Sequence, residues 1–134
     1  MSASTNLFQT VLRNQSALSD RLALESGNEE EADVLNTILS EVRRFCPKHV
    51  DGAKIDQNGK LGQQLLEEVA GRGWFGLTIP EQFGGAGLSL KAATRVVVEL
   101  TGYNGSLGTC VGLHSGLALY GLIHLASEAL QEKY

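Results

Sequence analysis

A stretch rich in glycine and proline, from Gly73 to Ser89, interrupts a chain whose other patterns are helical. Pro80 fixes its own φ and offers no backbone donor, while Gly84, Gly85 and Gly87 tolerate backbone angles that a Cβ forbids. The stretch also carries five large apolar side chains: Trp74, Phe75, Leu77, Ile79 and Phe83. So many anchors predict a loop that is folded down onto the protein, at the corner around which the helices pack.

The chain before this loop has the spacing of an amphipathic helix. Asn28 is a predicted helix cap with Glu31 in capping-box position, and the acidic run at 29–31 predicts a solvated helix start. Pro47 is expected to kink or end this helix. Its apolar stripe repeats at intervals of three and four and consists of Val34, Leu35, Ile38, Leu39, Val42, Phe45, Cys46 and His49.

The segment between this helix and the loop divides into two parts. Residues 51–59 are polar and contain two turn signals, Asp51-Gly52 and Asn58-Gly59, so they predict a loop. A short helix is then predicted, closed by Gly71 and Gly73. Its apolar residues are Leu61, Leu65, Leu66 and Val69.

Three helices are predicted after the loop. Ser89 caps the first, which ends at Gly102 and buries Leu90, Ala93, Val96, Val97 and Leu100. The second, Gly105 to Ala126, lies in a stretch with no charged residue between Gly102 and Ser127, and it is long enough to span a membrane. Its glycines and histidines favour instead a central helix buried on all sides. Ser127 caps the last helix, Glu128 to Tyr134.

The predicted fold is therefore all-α: an orthogonal or up-down bundle of five to six helices around a Gly/Pro-rich central loop. Residues 1–27 are predicted to be an N-terminal extension with one helix, and residues 28–134 to be the helical domain. The net charge of −4 indicates no nucleic-acid partner, which would require a basic face. Cys46 and Cys110 have no metal or redox spacing, and free thiols favour a reducing compartment, the cytoplasm, or the mitochondrion in a eukaryote.

No residue stands out as a catalytic group. His49, His114 and His124 have no ligand spacing, so each is interpreted as structural and no metal site is predicted. The glycine run at 84–87 lacks the Lys-Ser/Thr of a phosphate-binding loop, so no cofactor-binding residue is assigned to it. Cys110 has no local base that would activate it as a nucleophile.

The order of several motifs resembles the N-terminal helical domain of acyl-CoA dehydrogenases. The resemblance begins near Glu29 and includes the whole run Gly73–Ser89, Glu99-Leu100, Leu113-His114-Ser115 and the terminal run Gln131–Tyr134. It implies an oxidoreductase of fatty acid and lipid metabolism that dehydrogenates acyl-CoA thioesters with FAD. In that family the FAD-binding domain and the glutamate base follow this domain, so both are expected beyond Tyr134 and the isolated domain is expected to be inactive.

The resemblance also implies which residues contact substrate. In the family this domain supplies one wall of the acyl pocket, and the matching positions here are Thr109, Cys110, Leu113 and Leu117. Ordinary core packing is the alternative for all four. The implied partners are acyl-CoA, an electron-transfer flavoprotein or another acceptor, and further copies in a homo-oligomer, with no membrane. The alternative functions are an acyl-CoA oxidase or flavin monooxygenase on the same scaffold, and a stand-alone helical interaction module.

Overall fold

The computed structural model of the protein describes residues 29–133. The predicted extension at 1–27, the Asn28 cap and Tyr134 lie outside these residues. Within 29–133 the prediction of an all-α fold is confirmed, since six helices and no strand are present. The helices are α1 (Glu29–His49), α2 (Gly52–Asn58), α3 (Gln63–Gly71), α4 (Leu90–Tyr103), α5 (Gly105–Leu125) and α6 (Glu128–Lys133).

Helix α4 is the centre of the domain, because it packs against α1 on one side and α5 on the other. Its Ser89 cap is confirmed: the Ser89 hydroxyl accepts from the Ala92 N–H at 3.2 Å. Leu90 was predicted to be buried but is 63% exposed, since Ala92 faces the core in the first turn instead. The buried residues of these helices are Leu35, Leu39, Val42, Phe45, Cys46, Ala92, Ala93, Val96, Leu100, Leu107 and Val111.

Two polar contacts join α1 to the α4 side of the domain. Arg43 donates two hydrogen bonds to the Glu99 carboxylate, at 2.9 and 3.0 Å, and these hold the pKa of Glu99 below its usual value. Glu31 Oε1 accepts the Ser89 N–H at 2.6 Å. The predicted role of Glu31 in a solvated helix start is therefore incomplete, because this carboxylate also ties the end of the central loop to α1.

The prediction of a loop over residues 51–59 is wrong, because α2 occupies most of it. The Asp51 carboxylate accepts the Lys54 N–H at 3.0 Å and caps the helix. Gly59 ends it with a left-handed φ of 63°, and Ile55 is buried at 8% exposure. The two turn signals thus mark the ends of a seven-residue helix, and Ile55, its one buried residue, anchors it.

The central loop doubles back on itself and is packed down as predicted. Two short 3₁₀ turns, Trp74–Gly76 and Glu81–Phe83, lie within it, and Trp74 and Leu77 are fully buried. Its two arms are joined by backbone hydrogen bonds, including Gly87 N–H to Ile79 O at 2.9 Å. A Cβ at Gly85 would overlap the Ile79 carbonyl oxygen and lie 2.6 Å from its carbonyl carbon, so glycine is required there by close approach.

Candidate functional site

Helix α5 carries all four candidate pocket residues, and it is not a uniform α-helix. Residues Gly105–Gly112 are α-helical, Leu113–Ala118 form a π-helical turn, and Leu119–Leu125 return to α geometry. The Leu119 N–H donates to the carbonyl of His114, five residues back, rather than to that of Ser115, its partner in an α-helix. Such turns often occur at functional sites.

The inward-facing residues of α5 are spaced four apart, and this spacing explains the wide turn. The spacing is present in the sequence and could have predicted that α5 is not a uniform α-helix. The side chains that face the domain recur at this interval and form a stripe along α5, and each step of four residues overshoots a full turn of an α-helix by about 40°. Over four steps a stripe on a uniform α-helix would rotate around the helix axis by about 160°, away from the domain. The π-helical turn takes up one extra residue and returns the stripe to the core side. The residues are Leu107, Val111, Ser115, Leu119 and Ile123.

The wide turn is attached to the central loop through two hydroxyl groups. Thr78 Oγ1 donates to the Ser115 carbonyl oxygen at 2.6 Å. Ser115 Oγ lies 3.3 Å from the carbonyl oxygen of Trp74 and 3.1 Å from that of Phe75, and its single hydroxyl hydrogen is shared between these two acceptors. Ser115 is 3% exposed and is the buried polar residue of the described core. We refer to Thr78 and Ser115 together as the latch.

The four predicted pocket residues lie on the outer side of α5. Thr109 is exposed, Cys110 is half-buried, and Leu113 and Leu117 are 54% and 76% exposed. They do not enclose a cavity within the described residues. The prediction that α5 is buried on all sides is therefore wrong: its inner side packs on α4 and the loop, and its outer side is an apolar surface.

Two of the five glycines of α5 serve close packing. A Cβ at Gly108 would overlap Thr101 Oγ1 and lie 2.8 Å from the Thr101 Cα, and one at Gly112 would lie 3.0 Å from Val97 Cγ1. Both glycines therefore let α4 approach α5 closely. A Cβ at Gly105, Gly116 or Gly121 would meet no atom within 4 Å, so these three glycines face open space.

A hollow of about 740 Å³ separates the second half of α5 from the central loop and α6. Its apolar lining faces Gln131, whose side-chain amide donates to the carbonyl oxygen of Ile123 at 2.8 Å. None of the four predicted pocket residues lines it. The apolar lining residues are Ile79, Pro80, Phe83, Leu119, Leu122 and Ile123.

Each of the three histidines lies against an aromatic ring. His49 stacks on Phe45 with ring centroids 4.3 Å apart, and its Nδ1 lies 3.3 Å from Glu68 Oε2. The His114 ring meets the edge of Phe75 at 5.0 Å, and the third ring, His124, lies 4.4 Å from a tyrosine. Among residues 29–133, no group of three metal-ligating side chains comes together.

The glycine run of the loop does not fit a dinucleotide phosphate. Gly85 lies against Ile79, and a Cβ at Gly87 would lie 3.2 Å from Glu81 Cγ, so the space beside these glycines is filled by the loop itself. No strand precedes the run in the described part of the chain. This glycine run therefore lacks the surroundings of a dinucleotide-binding loop.

Helix α5 is long and apolar enough, by length and composition, to cross a membrane, with 22% of its most apolar window buried. Core helices of soluble proteins share these two properties, so they assign no membrane role.

Comparison with known proteins identifies the domain. The sequence model of the acyl-CoA dehydrogenase N-terminal domain matches residues 32–134. The chain belongs to the acyl-CoA dehydrogenase family. The exposed outer side of α5 thus lies on the first domain of an enzyme family whose members contain more than this domain.

The relatives include enzymes with different acyl groups. The chain is 28% identical over 107 residues to the mitochondrial very long-chain specific acyl-CoA dehydrogenase of Bos taurus, covering 80% of this chain and 16% of the relative. It is 28% identical over 126 residues to the mitochondrial isovaleryl-CoA dehydrogenase of the same species, covering 91% of this chain and 29% of the relative. A probable acyl-CoA dehydrogenase of Mycobacterium bovis is 31% identical over 95 residues, covering 71% and 14%.

The chain therefore spans less than a third of the length of these curated relatives. No solved structure matches it.

Proposed function

We propose that this domain forms one wall of the acyl pocket in an FAD-dependent enzyme that dehydrogenates acyl-CoA thioesters between the α and β carbons. The observation that carries the proposal is the outer side of α5. There Thr109, Leu113 and Leu117 follow one another at intervals of four residues, and all three are exposed. The family membership supplies the reaction class, and the exposed apolar surface supplies a place for the tail.

The chemistry of this surface suits a hydrocarbon chain. Leu113 and Leu117 present apolar side chains, and no Asp, Glu, Lys or Arg occurs between Gly102 and Ser127. Burial of an acyl tail contributes about 0.8 kcal/mol per methylene group. A charged side chain on this surface would cost desolvation energy without a partner. The surface can therefore bind a tail by contact alone and select it by length.

The remaining machinery is proposed to lie in parts of the parent enzyme beyond Tyr134. Those parts would hold FAD, which would supply a hydride acceptor for the β hydrogen, and would provide the carboxylate that removes the α proton. The domain itself would position the tail and exclude water from it. The proposed partners are an electron-transfer flavoprotein or another acceptor, and further copies of the enzyme, in the cytoplasm or a mitochondrion.

The test is a substitution on the outer side of α5 in the complete flavoenzyme. Leu113→Trp fills part of the proposed pocket, so the ratio of kcat/KM for long over short acyl chains should fall by about tenfold or more. Val98→Trp is the control, because Val98 is a 64% exposed apolar residue on α4 and lies about 100° around that helix from Val97, which packs against Gly112 of α5. Unchanged chain-length preference in a stably folded Leu113→Trp enzyme would refute the pocket assignment.

The acceptor assay separates the proposed reaction from its alternative. A dehydrogenase should pass electrons to an electron-transfer flavoprotein or an artificial dye and react slowly with oxygen. Rapid production of hydrogen peroxide with acyl-CoA would assign the same scaffold to an oxidase. A colourless protein that contains only this domain would refute both and indicate an interaction module.

A further inference from the structure

We propose that the latch of Thr78 and Ser115 sets the chain-length selectivity of the acyl pocket by fixing the wide turn of α5. The inference rests on the proposed function and adds two positioning residues to it. Neither side chain lies on the outer side of α5, so neither is expected to touch the acyl tail. Each acts through the placement of Leu113 and Leu117.

The wide turn leaves one backbone carbonyl of α5 without its helical donor. Because the Leu119 N–H donates to His114, the Ser115 carbonyl loses its α-helical donor. A buried carbonyl without a donor is unfavourable, and the Thr78 hydroxyl supplies one at 2.6 Å. The loop thus stabilises the wide turn specifically, since the same carbonyl would be occupied in an α-helix.

The latch also holds the π-helical turn at one place along α5. Ser115 Oγ reaches the carbonyl oxygens of Trp74 and Phe75, so the residue at the middle of the turn is tied to the 3₁₀ turn of the loop. Trp74 is fully buried and cannot follow a moving helix without disturbing the core. The position of the extra residue in α5 is therefore determined by the loop and not by the helix alone.

The π-helical turn contains two residues of the candidate pocket wall. Leu113 begins the π-helical segment and Leu117 lies within it. Removal of the extra residue from the turn would rotate the following part of the helix by about 100° and shift it by about 1.5 Å. Such a change would carry Leu117 away from its alignment with Thr109 and Leu113. A pocket wall that samples both arrangements would select poorly between tails that differ by two carbons.

The experiment uses the complete flavoenzyme and compares Thr78→Val with Thr78→Ser. Valine keeps the size of threonine and removes the donor, whereas serine keeps the donor. We expect Thr78→Val to reduce the ratio of kcat/KM between the preferred chain and one two carbons shorter by about tenfold, the effect of a methylene contact in an apolar pocket. Thr78→Ser should leave that ratio unchanged. The dissociation constants of 3-thiaacyl-CoA analogues of the same two lengths should change in parallel.

Thr37→Val is the matched control. The Thr37 hydroxyl donates to a carbonyl of its own helix, Asp33 O, at 2.9 Å, and it is exposed on α1. Its substitution removes a threonine hydroxyl from a helix that packs on α4, so the chain-length ratio should stay the same. Ser115→Ala is the second variant, because it removes the bonds to Trp74 and Phe75 and predicts the same loss of selectivity.

The outcomes separate the latch from the pocket. If Leu113→Trp shifts the chain-length preference but Thr78→Val and Ser115→Ala only lower the melting temperature, the latch is structural. The inference about the latch is then refuted, while the proposed function stands. Failure of both latch variants to give folded flavoenzyme would likewise assign the latch to folding and overturn it. If no acyl-CoA is oxidised and Leu113→Trp has no effect, the proposed function itself fails, and the inference with it.

Discussion

Replacement of Gly85 by alanine tests the packing of the central loop most directly. The added Cβ would overlap the carbonyl oxygen and the Cβ of Ile79 and lie 2.6 Å from the Ile79 carbonyl carbon. Two of the three clashing atoms belong to backbone, so a side-chain rotation cannot relieve the overlap. The two arms of the loop must separate, and this strains the neighbouring bonds from Ala86 N to Gly76 O and from Gly87 N to Ile79 O.

The expected loss of stability follows from these contacts. Overpacking costs about 1–3 kcal/mol, and two weakened hydrogen bonds add about 1 kcal/mol each. Alanine restores about 0.4–1 kcal/mol because it restricts the unfolded chain. We therefore expect Gly85→Ala to lower the free energy of unfolding by about 2–5 kcal/mol. Urea titration monitored by Trp74, the single and fully buried tryptophan, reports on the same loop.

Two other glycines serve as controls for this mechanism. Gly84 has a φ of 81° and no neighbour within 4 Å, so Gly84→Ala should cost about 1–2 kcal/mol through backbone strain alone. Gly71 ends α3 with open space around it, so Gly71→Ala should be stabilising by about 0.4–1 kcal/mol. A Gly85→Ala protein as stable as the Gly84→Ala protein would show that close approach to Ile79 does not determine the loop.

Three further predictions concern the helices. Gly108→Ala should destabilise the protein by about 1–3 kcal/mol, because its Cβ would overlap a threonine of α4, and calorimetry would measure the loss. The folded pKa of Glu99 lies below its ordinary value of 4.5 because of Arg43, so their pairing stabilises the fold at neutral pH and is lost as the pH falls through the folded pKa. Glu99→Gln should therefore flatten the acid side of a curve of stability against pH, and an unchanged curve would contradict this. Burial raises the pKa of Cys46 to about 11, so iodoacetamide at pH 8 should modify this thiol only after unfolding, as peptide mass mapping would show.

Local patterns predicted most of the fold because they describe one helix face at a time. The apolar stripe of α1, the Ser89 cap and the closing glycines of α3 each depend on neighbours within about one turn. Helix α2 was missed because a seven-residue helix is marginal by propensity. It depends on the Asp51 cap and on the burial of Ile55 against the rest of the domain.

The candidate site was predicted less completely than the fold. The resemblance placed Thr109, Cys110, Leu113 and Leu117 on α5, and the structure places them on its outer side. Composition indicated that α5 is apolar, yet the same composition serves a buried core helix and a helix with one exposed apolar side. Only the packing of α4 and the loop against α5 determines which side of α5 is buried and which is exposed.

The sequence by itself determined the family, the all-α class and the role of the Gly73–Ser89 loop as a packed corner, since periodicity and motif order are properties of the chain. It also contained the four-residue period of α5, which a uniform α-helix does not satisfy. Tertiary structure alone decided where that mismatch is absorbed. The hydrogen bond from Thr78 to Ser115 joins residues 37 positions apart, and the close approach of Gly85 to Ile79 depends on a chain that folds back on itself. Such contacts arise from three-dimensional packing, so no local pattern specifies them.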